Sequence, residues 1–305
     1  MNFRLTILGS GSALPTTLRN TTAHVLNVHE RFFLIDCGEG CQLQMRKNNI
    51  PFNRIDSIFI SHLHGDHYFG IFGFLSTLYL MGRIHPLHIY ADPKIENILK
   101  TVLQYETIDW TFPIIIHPLN FEMPEVILND RSLKVTSFPL RHSLPTCGFL
   151  FEEQPRDRKI DKSSHERLHF TVKEINTLKL GDDIERDGTI IKNRDVTIDP
   201  VAPRKYAFVT DTLMCSSLSE IIRDVDILYH EATYLHNELA LARQTCHSTA
   251  LQAAQLAKKA NVKKLLIGHY SSRYPIPDEL LNEARTIFPN TFAVNDNDIF
   301  EVPFI

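Results

Sequence analysis

The sequence predicts an α/β protein in which two mixed β-sheets pack face to face and helices cover both outer faces, a four-layer sandwich. Three observations support this fold class. Short apolar runs bounded by turn residues alternate with helical patterns. The alternation occurs in an early block of the chain and again in a late block, as two sheets require. A content of 43% hydrophobic and 22% charged residues among 305 excludes a disordered, collagen-like or disulfide-stapled chain.

Twelve short segments have the β-branched and aromatic content, and the flanking turn residues, that predict strands. These are Phe3–Leu8, Ala23–Val28, Phe32–Asp36, Ser57–Ile60, Leu87–Tyr90, Ile114–His117, Leu133–Phe138, Cys147–Phe151, Tyr206–Val209, Ile227–Tyr229, Lys264–Ile267 and Thr291–Ala293. Six longer segments have helical periodicity. These are Glu39–Asn48, Tyr68–Met81, Pro93–Gln104, Leu218–Asp224, Thr249–Ala260 and Asp278–Ile287. Ser248 and Asp278 are the expected N-caps of the last two helices.

The segment Glu152–Pro200 interrupts this alternation. It holds ten Lys and Arg and twelve Asp and Glu, with few strand or helix patterns. We expect a single domain over residues 1–305, from which residues 152–200 protrude as an exposed, partly flexible inserted arm. Whether the arm binds a partner is a separate question.

Composition limits the class of protein. The net charge is −4, so the whole chain offers no global electrostatic argument for binding nucleic acid, although a local basic groove is compatible with it. The five cysteines are scattered and lack a C-x-x-C spacing, which indicates free thiols in a reducing compartment. The N-terminus is typical of a first strand rather than a secretory leader, and the most apolar stretch, Tyr68–Met81, is too short to span a bilayer. We expect a soluble, cytoplasmic protein.

The string SHLHGDH directly after the strand Ser57–Ile60 is the motif that indicates chemistry. Imidazole nitrogen suits zinc and carboxylate oxygen is a hard ligand, so His62, His64, Asp66 and His67 are all candidate metal ligands. They follow a buried strand, which gives the loop a rigid support. The spacing lets the first two histidines face one ion while Asp66 and His67 face a second ion nearby.

Four ligands do not complete two metal sites, so about three more are expected from elsewhere in the chain. His142, Asp211 and His269 each follow a predicted strand. Side chains at the carboxyl ends of strands form the active sites of many α/β sheets. Any one of the three alone would more often be a turn or surface residue, but beside the first motif their repeated placement favours ligands. Asp211 is the carboxylate among them, and a carboxylate can bridge two ions.

A second pair of residues suggests proton transfer. Glu231 follows the predicted strand Ile227–Tyr229 closely, and His247 precedes the alanine-rich helix. A histidine oriented by a glutamate is a tuned proton donor. A surface histidine next to a helix-capping serine explains the second motif equally well from the residues alone.

These residues resemble the metallo-β-lactamase superfamily and, more closely, the ribonuclease Z (tRNase Z) family of tRNA 3′-processing endonucleases. The likeness runs nearly end to end. It is carried in order by LGSGSALPTTLRNTT, FLIDCGEGCQLQ, the metal string, HEATY, HSTA and HYSSRY. The resemblance implies the metallo-β-lactamase fold and two zinc ions per subunit, with manganese or another divalent metal as an alternative occupant.

The resemblance also implies residue roles. His62, His64 and His142 would hold one ion, Asp66, His67 and His269 the other, and Asp211 would bridge them. Asp66 would act as general base, while Glu231 and His247 would orient and donate a proton to the departing 3′ oxygen. Arg273 would lie near the scissile phosphate, and Arg19 and Asn20 in the first loop would bind substrate. The implied partners are precursor tRNA and a second copy of the chain, with no membrane.

The sequence departs from the family pattern in three places. Thr17 replaces the lysine of the usual P-x-K-x-R-N loop, and Thr210 replaces the glycine that usually precedes the Asp-Thr pair. The arm at residues 152–200 is in the expected position but lacks the family's Gly-Pro-rich knob and is slightly acidic. Phosphate contacts need Lys and Arg on one face, which the sequence does not establish for this arm.

Two other hypotheses follow. The altered arm motivates a related metallo-hydrolase that acts on small phosphodiesters, such as a cyclic-nucleotide phosphodiesterase. The shared fold also admits a non-hydrolytic iron redox module, but such proteins typically carry Glu at the position of His64 and append a flavin domain. The prediction we carry forward is a zinc-dependent endoribonuclease that removes 3′ trailers from precursor tRNA, leaving a 3′-hydroxyl on the tRNA and a 5′-phosphate on the trailer.

Overall fold

A computed structural model describes residues 2–105 and 111–304. Within that part of the chain, two seven-stranded mixed sheets pack face to face with helices on both outer faces. The predicted four-layer α/β sandwich is therefore confirmed. In the same residues, no helix combines the length and apolar character needed to cross a bilayer.

The first sheet comes mainly from the N-terminal half. Its strands lie in the order β18-β1-β2-β3-β4-β5-β6. Their bounds are β1 Phe3–Gly9, β2 Ala23–Val28, β3 Arg31–Ile35, β4 Ile55–Phe59, β5 Leu87–Ala91, β6 Ile114–Pro118 and β18 Ile299–Glu301. Strands β3 to β6 run parallel, so their carboxyl ends meet at one edge of the sheet.

The second sheet has the order β17-β16-β15-β14-β9-β8-β7. Its strands are β7 Glu125–Asn129, β8 Leu133–Leu140, β9 Thr146–Glu153, β14 Lys205–Val209, β15 Ile227–Glu231, β16 Lys264–Gly268 and β17 Thr291–Ala293. Strands β14 to β17 are parallel, and β7 to β9 are antiparallel. The sequence analysis missed β7 and β18, which are short and carry partly exposed residues.

Helices outside the sheets are short. They are α1 Cys41–Lys47, α2 Gly65–Tyr68, α3 Gly70–Leu80 and α4 Lys94–Leu103 on the first sheet, and α8 Leu218–Ile221, α9 Leu239–Gln244, α10 Ala250–Lys259 and α11 Asp278–Arg285 near the second. Short 3₁₀ turns cover Phe52–Arg54 and His236–Glu238.

The single helix predicted over Tyr68–Met81 is broken between α2 and α3. Gly70 donates its backbone N–H to the carbonyl of Cys37 at 2.8 Å, which departs from a continuous helical pattern. A Cβ at Gly70 would lie 2.3 Å from the carbonyl oxygen of Gly38. The chain must approach that turn closely, and glycine permits this approach.

Two predicted N-caps are wrong. Thr249, not Ser248, caps α10 in a capping box with Gln252, because the Ser248 hydroxyl instead donates to the carbonyl of Thr212 at 2.6 Å. Helix α11 is preceded by Pro277, and Asp278 is its first residue. A carboxylate in that first turn still interacts favourably with the helix dipole.

Aromatic residues fill the space between the sheets. Phe33, Phe59, Phe149, Phe151 and Phe208 are each buried to within 1% of full burial. Their rings contact one another across the layers, for example Phe59 and Phe151 at 5.3 Å between centroids with nearly perpendicular planes. This packing fixes the two sheets against each other, and it therefore fixes the loops at their shared edge.

The arm is a folded unit with more secondary structure than the sequence patterns predicted. It contains the helices α5 Lys162–Leu168, α6 Val172–Lys179 and α7 Asn193–Val196, and the short strands β10 Lys159–Ile160, β11 Ile184–Arg186, β12 Thr189–Ile191 and β13 Thr197–Ile198. Its own small apolar core is made of Phe170, Leu178, Ile184 and Val196. Thr171 and Glu174 form a capping box that starts α6.

A buried ion pair closes the base of the arm. Glu153, at the end of β9, and Arg204, just before β14, are linked by two guanidinium–carboxylate hydrogen bonds of 2.9 and 2.7 Å. His29 contacts the same carboxylate at 2.5 Å, and Arg204 also donates to the carbonyl of Val302. Burial alone would raise the pKa of Glu153, but its bonds to Arg204 more than offset this and lower it to about 2.

This ion pair predicts an acid-sensitive contribution to stability. Because the pKa of Glu153 is lower in the folded than in the unfolded chain, the contribution is present above pH 4.5 and is lost as the pH falls towards 2. It amounts to at most about 3 kcal/mol. The variant Glu153→Gln should show a flatter dependence of the unfolding free energy on pH between 3 and 5, measured by urea denaturation. The neighbouring Glu152→Gln, which also removes one carboxylate, is measured in parallel; equal slopes for wild type and Glu153→Gln would contradict this assignment.

Candidate metal centre

The seven predicted metal ligands lie together at the edge where strand ends of both sheets meet. His62, His64, Asp66 and His67 follow β4 of the first sheet. The others follow β8, β14 and β16 of the second sheet; they are His142, Asp211 and His269. Residues that are far apart in the sequence thus face one small volume, and two groups of them have ligand atoms within 4.8 Å of one another.

The first group surrounds one oxygen of Asp211. Nε2 of His62 and Nε2 of His142 each lie 3.6 Å from Asp211 Oδ2. Nδ1 of His64 lies 2.9 Å from His62 Nε2 and 3.2 Å from His142 Nε2. Three imidazole nitrogens and a carboxylate oxygen are a donor set that suits zinc.

The second group surrounds the other oxygen of Asp211. Nε2 of His67 and of His269 lie 3.4 and 3.1 Å from Asp211 Oδ1. The same two nitrogens lie 3.3 and 3.7 Å from Asp66 Oδ2. Because the two oxygens of Asp211 face different groups, its carboxylate is placed to bridge two ions.

The polar atoms of this centre fit a pair of divalent cations. Nε2 of His67 and Nε2 of His269 are buried without a hydrogen-bond partner in the described structure. Buried polar atoms are almost always paired, and an orphaned imidazole nitrogen that faces carboxylate oxygens is what a metal ligand needs. Burial also lowers the pKa of His62 well below its usual range, so this ring is neutral near pH 7 and can offer a lone pair.

Hydrogen bonds behind the ligands fix the orientation of their rings. Nδ1 of His67 donates to the fully buried carboxylate of Asp36 at 2.7 Å, and Asp36 also accepts from the backbone and hydroxyl of Ser61. Nδ1 of His142 donates to the carbonyl of Cys246 at 2.9 Å. In both cases Nε2 is left to face the centre. Sequence reasoning missed Asp36 as a site residue, although it ends a strand parallel to the one that precedes His62.

A further hydrogen-bond chain links the centre to Glu231. The Thr233 hydroxyl donates to Glu231 Oε2 at 2.5 Å and lies 3.1 Å from Nδ1 of His269. Since that hydroxyl proton is already used, Thr233 accepts from His269. Thr233 was also missed, because nothing in the sequence separates it from the other residues of HEATY.

Glu231 and His247 form the pair that the sequence suggested. Oε1 of the buried Glu231 lies 3.0 Å from Nδ1 of His247, and it also accepts the backbone N–H of Thr212 at 2.6 Å. Burial alone would lower the pKa of His247, but the Glu231 carboxylate outweighs it and raises the pKa to about 9. The Glu231 carboxylate therefore favours the protonated form of His247. The interpretation as a plain surface histidine is wrong.

Two of the predicted ligands occupy unusual backbone conformations. Asp211 has φ of 23° and His269 has φ of 57°, both in the left-handed region that L residues rarely adopt. Such strain persists only where the surrounding structure holds it in place. Here the strand ends and the buried hydrogen bonds supply that support.

A cavity of about 330 Å³ opens over the centre. It is lined by Ser12, Ala13, His64, Gly65, Asp66, His142, Ser143, Asp211, Thr245 and His247. Ligands of both groups and the histidine of the Glu231–His247 pair thus share one solvent-connected space. A molecule that reached the ions would also reach His247.

The three predicted substrate-binding residues do not line this cavity. Arg273 is exposed and lies 3.1 Å from Glu238. Arg19 is buried, donates to the carbonyl of Tyr274 at 2.9 Å and lies over the ring of Tyr270. The side-chain amide of Asn20 donates to a carboxylate of the C-terminal segment. In this structure all three side chains have partners within the chain.

Comparison with known proteins identifies relatives of this chain. A protein-family model described as anti-Pycsar protein Apyc1 matches residues 3–155. A protein named ribonuclease Z from Bacteroides fragilis strain YCH46 is 43% identical over 296 residues, which are 97% of this chain and 97% of that protein.

Solved structures show the same fold. The crystal structure of human tRNase Z, short form (ELAC1), superposes with a TM-score of 0.71 at 23% identity, covering 99% of this chain and all of that one. The metallo-β-lactamase fold protein YhfI from Bacillus subtilis gives a TM-score of 0.70 at 18% identity, with the same coverage. The architecture is therefore the metallo-β-lactamase fold.

The position of Asp211 between the two groups predicts how many metal ions the centre binds and which residue both ions need. We expect wild-type protein to bind two equivalents of Zn²⁺ after dialysis against a chelator. Asp211→Asn should lose high-affinity binding at both positions, because it removes a charged ligand that both ions share. Isothermal titration calorimetry measures the affinity for Zn²⁺, and elemental analysis measures the number of bound ions. The exposed Asp130→Asn is the matched control and should bind two equivalents; binding of two equivalents with wild-type affinity by Asp211→Asn would exclude a bridging role.

Proposed function

We propose a function from one premise: this chain belongs to the ribonuclease Z family and, through residues 3–155, also to the family described as anti-Pycsar protein Apyc1. It is a hydrolase that cleaves phosphodiester bonds as an endonuclease. Our proposal for its reaction is zinc-dependent removal of the 3′ trailer from precursor tRNA. The products would be a tRNA with a 3′-hydroxyl and a trailer with a 5′-phosphate.

The observation that carries this proposal is the shared cavity over the metal centre. Its lining includes members of both ligand groups together with His247, which is held by Glu231. Hydrolysis of a phosphodiester needs an activated water, compensation of charge on the phosphoryl group and a proton for the leaving oxygen. Two bound divalent ions would supply the first two of these by lowering the pKa of water and neutralising phosphoryl charge.

The side chains of the protein would supply the remaining steps. The carboxylate of Asp66 lies at the cavity, and although burial raises its pKa, His67 and His269 keep it well below the usual value, so Asp66 is ionised and can accept a proton from water. Glu231 accepts the Nδ1–H of His247, which directs Nε2–H into the cavity. The imidazolium can then protonate the departing 3′ oxygen. Attack by water makes a 2′-hydroxyl unnecessary for the chemistry.

A second candidate function is hydrolysis of small phosphodiesters such as cyclic nucleotides. The arm at residues 152–200, which is slightly acidic and lacks the family's Gly-Pro-rich knob, motivates it. The Apyc1 family model covers the first metal motif and His142 but ends before Asp211, Glu231, His247 and His269. The ribonuclease Z relative extends over all of these residues, so we rank trailer removal first.

We propose that the arm contacts the body of the tRNA. Four of its cations, Lys159, Arg167, Lys173 and Lys179, have no carboxylate within ion-pair distance in the described part of the chain, while its other Lys and Arg are paired. Free cations on a folded support can bind phosphates without first breaking an ion pair. The buried Glu153–Arg204 pair would hold the arm in a defined direction.

We also propose a homodimer in which the arm of one subunit holds the tRNA that enters the active site of the other. This proposal rests on the family to which the chain belongs. Light scattering at assay concentration tests it, since a purely monomeric, active enzyme would exclude the arrangement.

The mechanism predicts different effects for Asp66 and His247. Asp66→Ala should lower kcat/KM at least about 10³-fold on both precursor tRNA and bis(p-nitrophenyl) phosphate, because it disturbs the metal centre itself. His247→Gln should lower kcat on precursor tRNA about 10²-fold or more but affect the nitrophenyl ester little, because nitrophenolate leaves without a proton.

Circular dichroism and the exposed variant Asp130→Ala control for folding in this experiment. Equal losses on both substrates for His247→Gln would exclude its role as proton donor. Full activity of Asp66→Ala would contradict the mechanism. Fast turnover of cyclic nucleotides by wild-type protein, without any cleavage of precursor tRNA, would instead favour the second candidate function.

The arm predicts a change in salt dependence. The double variant Lys173→Ala, Lys179→Ala should raise KM for precursor tRNA and reduce the slope of log KM against log salt by about 1 to 2, because two phosphate contacts are lost. The double variant Lys94→Ala, Lys100→Ala on α4 removes the same charge from the body of the protein and is the control. If both double variants behave alike, the arm is not the tRNA-binding element.

A further inference from the structure

The loop between β1 and β2, residues 10–22, forms one wall of the cavity. Ser12 and Ala13 line the cavity directly. The loop is closed on itself by a hydrogen bond from the N–H of Gly11 to the carbonyl of Asn20 at 3.0 Å, and by one from Thr16 to Arg19 at 2.8 Å. These bonds fix its shape but do not fix where it lies over the centre.

One carboxylate from the other end of the chain holds both stems of this loop. Asp296 lies between β17 and β18, and its Oδ1 accepts the backbone N–H and the hydroxyl of Ser10 at 2.9 and 2.8 Å. Its Oδ2 accepts the backbone N–H and the side-chain amide of Asn20 at 2.7 and 2.8 Å. The four donors lie more than 270 positions away from Asp296 in the sequence. Because the acceptor is a charged carboxylate, these hydrogen bonds hold the loop more strongly than bonds between neutral groups would.

The far side of the loop is held by a second set of contacts. Ser12 donates its N–H to the carbonyl of Tyr270 at 3.0 Å, and Arg19 donates to the carbonyl of Tyr274. Tyr270 directly follows His269, a predicted ligand. The loop is therefore anchored both to Asp296 and to the strand end that carries His269.

The anchored loop donates a hydrogen bond to Asp66. The backbone N–H of Ala13 donates to Asp66 Oδ2 at 2.9 Å. Ala13 adopts a left-handed conformation with φ of 53°, which an alanine holds only under constraint. The same carboxylate oxygen lies 3.3 Å from His67 and 3.7 Å from His269. The loop thus sets the direction of a carboxylate that faces the second metal position.

We propose that Asp296 is a positioning residue of the metal centre, which acts through the loop and the Ala13 N–H to orient Asp66. The proposal also assigns Asn20, and Arg19 with it, to holding this loop rather than to contacting RNA. It rests on the proposed function in that Asp66 is taken as a ligand and base. Partners behind a metal ligand commonly change metal affinity or activity 10- to 100-fold when they are removed.

The test measures metal binding rather than activity alone. In Asp296→Asn, an NH₂ group replaces one of the two carboxylate oxygens and cannot accept a hydrogen bond. Either Ser10 or Asn20 therefore loses its acceptor, and one stem of the loop is no longer held. We expect affinity for one of the two Zn²⁺ equivalents to fall about 10- to 100-fold while the other is unchanged. In the Co²⁺-loaded protein the visible spectrum of one ion should change. On precursor tRNA, kcat should fall while KM stays within about twofold.

Asp298→Asn is the matched control. Asp298 lies two residues further along the same segment, and its side chain accepts the backbone N–H of Asn295. In the described structure its side chain forms no hydrogen bond to the loop. Lost stability alone would affect both variants alike and would leave the spectrum of each bound ion unchanged. Asn20→Ala is a milder variant that removes one donor and keeps the carboxylate; it should show a smaller change in the same direction if Asp296→Asn does not fold.

Wild-type affinity for both ions and a wild-type Co²⁺ spectrum in Asp296→Asn would overturn the proposal. So would identical effects of Asp296→Asn and Asp298→Asn. If wild-type protein binds two ions but does not cleave precursor tRNA, the proposed function fails, and the metal measurements on Asp296→Asn still decide the positioning role.

Discussion

The Asp211 carboxylate lies between four imidazoles, and this arrangement joins the two groups of predicted ligands into one centre. Its two oxygens face His62 and His142 on one side and His67 and His269 on the other. These residues follow strands of both sheets, so the centre exists only while the two sheets keep a fixed relative position. The aromatic packing between the sheets, with Phe59 against Phe151 and Phe149, supplies that rigidity. The core of the protein therefore determines the geometry of the site.

The centre is locally unfavourable for folding. Among the described residues, Nε2 of His67 and of His269 lies buried without a hydrogen-bond partner, and Asp211 and His269 take left-handed backbone conformations. Such features each cost on the order of 1 to 3 kcal/mol and are expected where function requires them. Divalent cations would relieve the first of these costs, since binding to the folded state alone stabilises it. Behind the centre, Asp36 and Thr233 form hydrogen bonds with His67 and His269, and Asp296 holds the loop whose Ala13 N–H donates to Asp66.

Much of this architecture could be predicted from the sequence, and the reasons are physical. Periodicity located the strands, and the placement of His142, Asp211 and His269 after strands indicated a shared edge. Asp36, Thr233 and Asp296 could not be identified because their roles depend on contacts with distant residues. Arg19 and Asn20 illustrate the same limit, since their partners Tyr274 and Asp296 lie more than 250 residues away. The arm was underestimated because its helices are short and highly charged, although Thr171 and Glu174 carry the spacing of a capping box.

In the proposed mechanism, divalent ions held at this centre would activate water for attack at phosphorus, and the 3′ oxygen would leave. Cleavage of a precursor tRNA in ¹⁸O-labelled water, followed by mass spectrometry of both fragments, distinguishes this reaction from attack by the 2′-hydroxyl. We expect one ¹⁸O atom in the 5′-phosphate of the trailer and an unlabelled 3′-hydroxyl on the tRNA, also when the nucleotide before the cut is 2′-deoxy. A 2′,3′-cyclic phosphate on the tRNA, or no cleavage of the 2′-deoxy substrate, would show that the 2′-hydroxyl attacks and would contradict the account.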